Sequence, residues 1–181
     1  MSGCFFNTNI NMKRLVIIAV AVLMAFTACS FGNKKAKNTA EGQMFADFTV
    51  VQDESDPDGS TVKFSDYVGN GKYVLVDFWA SWCGPCRAEV PNVKKVYDLY
   101  AGDKFDVLSV AVWDDPADTK AAAEELGINW NQIINAQKQP TDLYGIAGIP
   151  HIILFGPDGT IVKRDLRGDA IEAAVKAALG L

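Results

Sequence analysis

The chain is poor in the residues that build metal centres and disulfide frameworks. Its 181 residues include one histidine, His151, and four cysteines, Cys4, Cys29, Cys83 and Cys86. A structural zinc site takes about four such ligands, so no metal is expected, nor any other cofactor. Two of the cysteines lie in or beside a targeting segment, which leaves too few for a stapled framework. Positive charge is scarce as well. Lys13 and Arg14 are the only charges before Cys29, leaving 15 basic against 22 acidic residues beyond it. No basic stripe exists to track phosphates, which excludes nucleic acid as a partner. Long apolar runs are missing too. Leu15 to Phe26 has 12 residues, short of the roughly 20 that a spanning helix needs.

What is present at the start reads as an address. Lys13 and Arg14, the apolar run and the small residues Thr27-Ala28 before Cys29 describe a secretory signal over residues 1–28. The cysteine after Thr27-Ala28 resembles the lipobox of bacterial lipoproteins, although Phe26 stands where that motif usually has leucine. This resemblance implies that Cys29 is lipidated and becomes the mature N-terminus. The other reading is a plain secretory signal that leaves Cys29 a free thiol. Residues 1–11 carry no charge and delay the basic region, which places the expected translation start at Met12. From Cys29 to Gly42 the chain is rich in Asn, Lys, Ala and Gly without apolar period, as in a flexible tether.

The remainder, residues 43–181, has ordinary globular composition and the length of one domain. Phe45 to Val51 and Thr61 to Phe64 read as two short strands around a turn rich in Asp, Pro and Gly. Tyr73 to Trp79 is almost continuously apolar, as in a strand covered on both faces. A helix follows from Cys83 to about Tyr100, with a kink expected at Pro91. Phe105 to Val112 is another buried strand. Asp115-Pro116 caps a helix that stops at Gly127. A brief strand at Ile133-Ile134 and a short helix from Lys138 to Tyr144 come next. Ile152 to Phe155 and Ile161 to Lys163 form a hairpin, and a last helix sits behind an Asp169/Glu172 capping box. Strands alternating with helices imply a mixed sheet with helices on both faces.

The chemistry concentrates at Trp79-Ala80-Ser81-Trp82-Cys83-Gly84-Pro85-Cys86. If the helix begins at Cys83, the two sulfurs sit one turn apart on one face. That suits the 5.5–6 Å or so between the Cα atoms of a disulfide. The helix N-terminus favours an anion, so Cys83 should ionise more readily than a free cysteine. These residues point to electron exchange between thiols and disulfides.

Trp-Cys-Gly-Pro-Cys after an apolar strand containing Asp77 resembles the thioredoxin superfamily. Ile149-Pro150 before Ile-Ile-Leu-Phe is similar to that superfamily's cis-proline position. The first hairpin, a strand–helix insertion before Pro150 and the lipoprotein signal resemble the bacterial TlpA/ResA-like group of membrane-anchored thiol–disulfide oxidoreductases. The resemblance covers about residues 43–181 and implies an α/β thioredoxin fold. It implies that Cys83 is the exposed nucleophile and Cys86 the resolving thiol. Asp77 would lie beneath the pair and take the proton from Cys86. As an acid in an apolar strand its pKa should be raised; the alternative is a carboxylate at a solvated strand edge. Glu89 matches an acidic position near the active site of ResA-like proteins, or is a solvated helix residue. Trp82, Gly84 and Pro85 would border the site, and Ile149 beside Pro150 would pair its backbone with an extended substrate. Trp79 reads as core, and His151 as structural or tuning.

The implied activity is reduction of disulfides in extracytoplasmic proteins. The domain would be periplasmic and held to a membrane by its lipid. Electrons would come from a membrane donor protein, and one use in the group is preparing apocytochrome c thiols for haem attachment. Three other readings stay open: a disulfide-forming oxidase, a peroxidase (the pattern is also similar to peroxiredoxins), and a lipoprotein using the fold only to bind a partner.

Overall fold

The strand Tyr73–Trp79, β3, lies at the centre of a five-stranded sheet in the computed structural model, which describes residues 39–53 and 60–181. All of it beyond Tyr73 is buried. On one side lie β4 (Phe105–Ala111) and β5 (Asn131–Ile133), both parallel; on the other lie β6 (His151–Phe155) and β7 (Ile161–Leu166), both antiparallel pairs. A strand flanked on both edges and covered on both faces has no solvated side, which is why its sequence does not alternate.

Three helices connect the strands, α1 (Gly84–Tyr100), α2 (Pro116–Glu125) and α3 (Gln139–Tyr144), and a fourth, α4 (Asp169–Leu179), follows the last strand. On one face of the sheet, Leu75, Trp79, Val107, Ile152 and Leu166 pack with Val90 and Val93 of α1, Ala122 of α2 and Val175 of α4. On the other, Val76, Phe78, Ile153 and Phe155 meet Tyr144 of α3 and the hairpin of β1 (Thr49–Val51) and β2 (Thr61–Lys63). This is the mixed sheet with flanking helices expected from the sequence. The N-terminal hairpin is present, and β5 with α3 form the strand–helix pair inserted before Pro150. Among the described residues no helix is long and apolar enough to cross a membrane.

Several boundaries differ from the sequence reading because distant groups satisfy the backbone. Strand β1 begins only at Thr49: the N–H of Phe45 donates to Gly159, and the Tyr144 hydroxyl bonds both the N–H and the carbonyl of Ala46. Phe64 leaves β2 to open a 3₁₀ turn, where its buried ring stacks on Phe48 at 4.8 Å. Helix α1 does run through Pro91 to Tyr100 as expected, at the cost of one donor for the Arg87 carbonyl. The Asp169/Glu172 capping box does not form. Gly168 is the N-cap, with φ at 51°, and Glu172 turns instead to Lys95 at 2.7 Å and Tyr100 at 2.9 Å.

Residues 39–42, read as the end of the tether, are fastened to the domain. Thr39 is buried and its hydroxyl donates to the Tyr144 carbonyl, while Gly42 donates to Ile161 and Glu41 accepts from Lys163 and from the backbone N–H of Arg164. The signal, Cys29 and the tether before residue 39 lie outside the described residues.

Candidate active site

Helix α1 starts at Gly84 with Cys83 as its N-cap, so the first cysteine stands just outside the helix and the second inside its first turn. Pro85 occupies the first turn, where a missing N–H costs nothing. Cys83 and Cys86 are joined as a disulfide with Cα atoms 5.2 Å apart. The backbone N–H of Cys86 donates to Sγ of Cys83 at 3.2 Å. An N–H aimed at that sulfur, together with the helix dipole, stabilises a thiolate there once the bond is reduced.

The expectation of an exposed Cys83 needs correction for this oxidised state. Cys83 keeps only 4% of its surface open and Cys86 none. Both are drawn into the cluster with Trp79 and Val90. What the pair shows to solvent belongs to Cys83 alone, through a narrow opening. Around it Trp82 is 62% exposed, and Gly84 and Pro85 are exposed. The Trp82 indole N–H donates to the Trp113 carbonyl at 3.0 Å, which fixes the ring as part of the rim. Trp79 is fully buried in the core.

Asp77 is 1% exposed, and its Oδ1 has no hydrogen-bond partner among the described residues. By strand alternation it shares the face of β3 that carries Leu75 and Trp79, the face packed on the cysteine pair. Burial pushes its carboxyl up to about 7; the Arg167 cation opposes that rise and the Glu89 charge adds to it. The solvated-edge alternative does not hold. Such a carboxyl exchanges protons near neutral pH from inside the core.

Glu89 is half-buried on α1 and comes within charge range of Asp77. Its oxygens are engaged elsewhere: they accept from the Gly168 N–H at 3.1 and 3.3 Å and from Asn92 at 2.9 Å. It ties α1 to the start of α4.

The Ile149–Pro150 bond is cis, with Pro150 buried and Ile149 half-buried. His151 pairs with Phe78, so Pro150 stands at the end of the sheet where β3 hands over to the cysteine segment. Burial foremost, then the Arg164 charge, holds the His151 imidazole down to about 4, so it is neutral at pH 7. Nε2 of His151 lies 3.1 Å from Arg164, which fits an acceptor role.

Two contributors escaped the sequence reading. The buried Asp114 accepts from the Ser81 N–H (2.6 Å), the Ser81 hydroxyl (2.8 Å), Thr119 (2.8 Å) and the Asp115 N–H (3.1 Å), and so pins the loop leading to Cys83. Its only trace in the sequence is a second acid beside the helix cap Asp115. Arg167 donates to the Pro150 carbonyl and, at 2.7 Å, to Leu166. Nothing local marked it.

A dithiol pair at a helix start, above a buried titrating acid and beside a cis-proline, defines a thioredoxin-fold site for thiol–disulfide exchange. Comparison with known proteins agrees. The model of the AhpC/TSA family matches residues 41–164, and the chain belongs to that family. The thiol-disulfide oxidoreductase ResA of Geobacillus thermodenitrificans is 28% identical over 154 residues, 84% of each chain. The thioredoxin domain of a thiol-disulfide oxidoreductase from Bacteroides vulgatus is 35% identical, with a TM-score of 0.65 over 76% of this chain and 96% of that one. A structure from Chlorobium tepidum described as a putative thiol:disulfide interchange protein DsbE is 29% identical, with a TM-score of 0.65 over 78% of this chain and 99% of that one. The protein is a thiol–disulfide oxidoreductase.

Proposed function

We propose that the protein reduces disulfides of client proteins on the outer side of the cytoplasmic membrane. The observation that carries this reading is the Cys83–Cys86 bond at the start of α1 above the buried, titrating Asp77. In the reduced protein the Cys83 thiolate attacks one client sulfur, forming a mixed disulfide and releasing the other client sulfur as a thiolate. Asp77 accepts the Cys86 proton, and Cys86 then attacks Sγ of Cys83. This breaks the mixed disulfide, releases the second client thiolate and leaves the bond seen in the structure. Two electrons pass to the client, and a dithiol of a membrane donor protein restores the pair.

The rim of Trp82, Gly84, Pro85 and Ile149 receives an extended client segment through main-chain contacts, which favours breadth over sequence selectivity. The Gly-Pro pair between the cysteines supports reduction over oxidation. The signal at residues 1–28 and lipidation of Cys29 support a periplasmic, membrane-tethered domain, and apocytochrome c is a client of the right chemistry. A redox titration tests direction: a potential near about −270 mV supports the reductase, and one near about −120 mV overturns it. Cys86→Ser tests the pathway, since it removes the resolving attack. Non-reducing gels should show client adducts on Cys83; none in cells with active clients overturns the assignment. The mass of the mature N-terminal peptide tests the anchor.

A further inference from the structure

We propose that Arg167 is a positioning residue that joins the substrate-binding bend at Pro150 to the buried carboxyl of Asp77, so that one guanidinium serves both client binding and proton transfer. This deepens the function proposed above and rests on it for the client and for the proton-transfer role of Asp77.

The sheet register brings these groups together. Asp77 of β3 pairs with Ile152 of β6, which in turn pairs with Leu166 of β7, so the three form one row across the sheet. Arg167 follows Leu166 and Pro150 lies two residues before Ile152. The row needs a bulge. Ile152 faces Leu166 but Ile153 faces Arg164, which leaves Asp165 as the extra residue, with φ at 58°. A bulge re-aims the strand end that follows it. Here it turns Leu166 into the core beside α1 and α4 and brings Arg167 to the cis-proline. Asp165 then pairs with Arg167 at 3.2 Å and steadies it.

The guanidinium holds two carbonyls at once, Pro150 through one nitrogen and Leu166 through the other. A planar fork does this where a single ammonium cannot. Its charge also reaches Asp77 and holds the carboxyl below the value that burial alone would set. The charged groups acting on Asp77 are Glu89 from α1 and Arg167 from the β7–α4 junction; its sheet neighbours Ser109 and Ile152 carry none. Glu89 is itself held by the Gly168 N–H, next to Arg167. The junction Arg167-Gly168 therefore fixes both charges that face Asp77 together with the bend that receives the client.

The test uses Arg167→Gln and Arg167→Lys in the full chain. Asp77 is titrated by carboxyl ¹³C NMR in the oxidised protein, with no client present. Arg167→Gln should raise the Asp77 midpoint by about one pH unit, tenfold less carboxylate below the midpoint, while Arg167→Lys should return it close to wild type. Turnover is measured with a cyclic disulfide peptide and with 5,5′-dithiobis(2-nitrobenzoate), which has no peptide backbone to pair at the bend. Both variants should raise KM several-fold for the peptide and by clearly less for the small disulfide. An unmoved Asp77 midpoint in Arg167→Gln, or an unchanged peptide KM in both variants, overturns the proposal. The titration needs no client or donor, so it stands apart from any failure of the proposed function.

Discussion

Replacing Asp77 by asparagine should change how stability depends on pH, by an amount that its burial sets. The carboxyl titrates near 3.8 unfolded and at about 7 in the folded protein. Between those values the folded state keeps a proton that the unfolded chain has released. Stability therefore falls as pH rises from about 4 to about 7 and levels off above. At about 1.4 kcal/mol for each pH unit, the Asp77 share of that fall is about 4 kcal/mol. His151 acts oppositely over an overlapping range. Its imidazole is held down to about 4 when folded, so the unfolded chain binds the extra proton and stability rises with pH there. Both proteins carry His151, so the comparison between them cancels it. Asp77→Asn keeps a neutral polar group in the same space, and near pH 4 the two proteins should differ little. At pH 8.5 the variant should be more stable by about 4 kcal/mol, or roughly 10 °C in Tm for a domain of this size. Urea unfolding of the oxidised proteins from pH 4 to 8.5 measures the difference. A gap that stays constant across that range, or a variant less stable at pH 8.5, would refute the reasoning.

Two further outcomes follow from the loop and the rim. Asp114→Ala leaves four donors without their acceptor, two of them on Ser81. It should cost about 3 kcal/mol in urea unfolding and slow mixed-disulfide formation at Cys83, followed by stopped-flow fluorescence. Trp82→Ala removes a ring that is 62% exposed. Stability should change by under about 1 kcal/mol, while KM for a disulfide peptide should rise; an unchanged KM would remove Trp82 from the client surface.

The parts of the site that were legible in the sequence are those written in short segments. Cys83 and Cys86 are three residues apart and bonded, and the strand Tyr73–Trp79 was read to the residue. The helix caps show the limit of local reading. Asp115 caps α2 as expected, because its partner Ala117 is two residues away. Asp169 does not cap α4, because Glu89, 79 positions from Gly168, reaches the helix start instead. Asp114 and Arg167 were missed for the same reason, since Ser81 lies 33 positions from Asp114 and Pro150 lies 17 from Arg167.

The order of residues along the chain by itself determined the kind of chemistry: two thiols one helical turn apart, an acid in the preceding strand and a proline ahead of the opposing one. Only the tertiary structure decided how ready those groups are to react. The proton affinity of Asp77 and the narrow opening over Cys83 come from desolvation by α1, α4 and the sheet around them, layers contributed by segments far apart in the chain. Burial is a property of how those layers meet, and no local pattern records it.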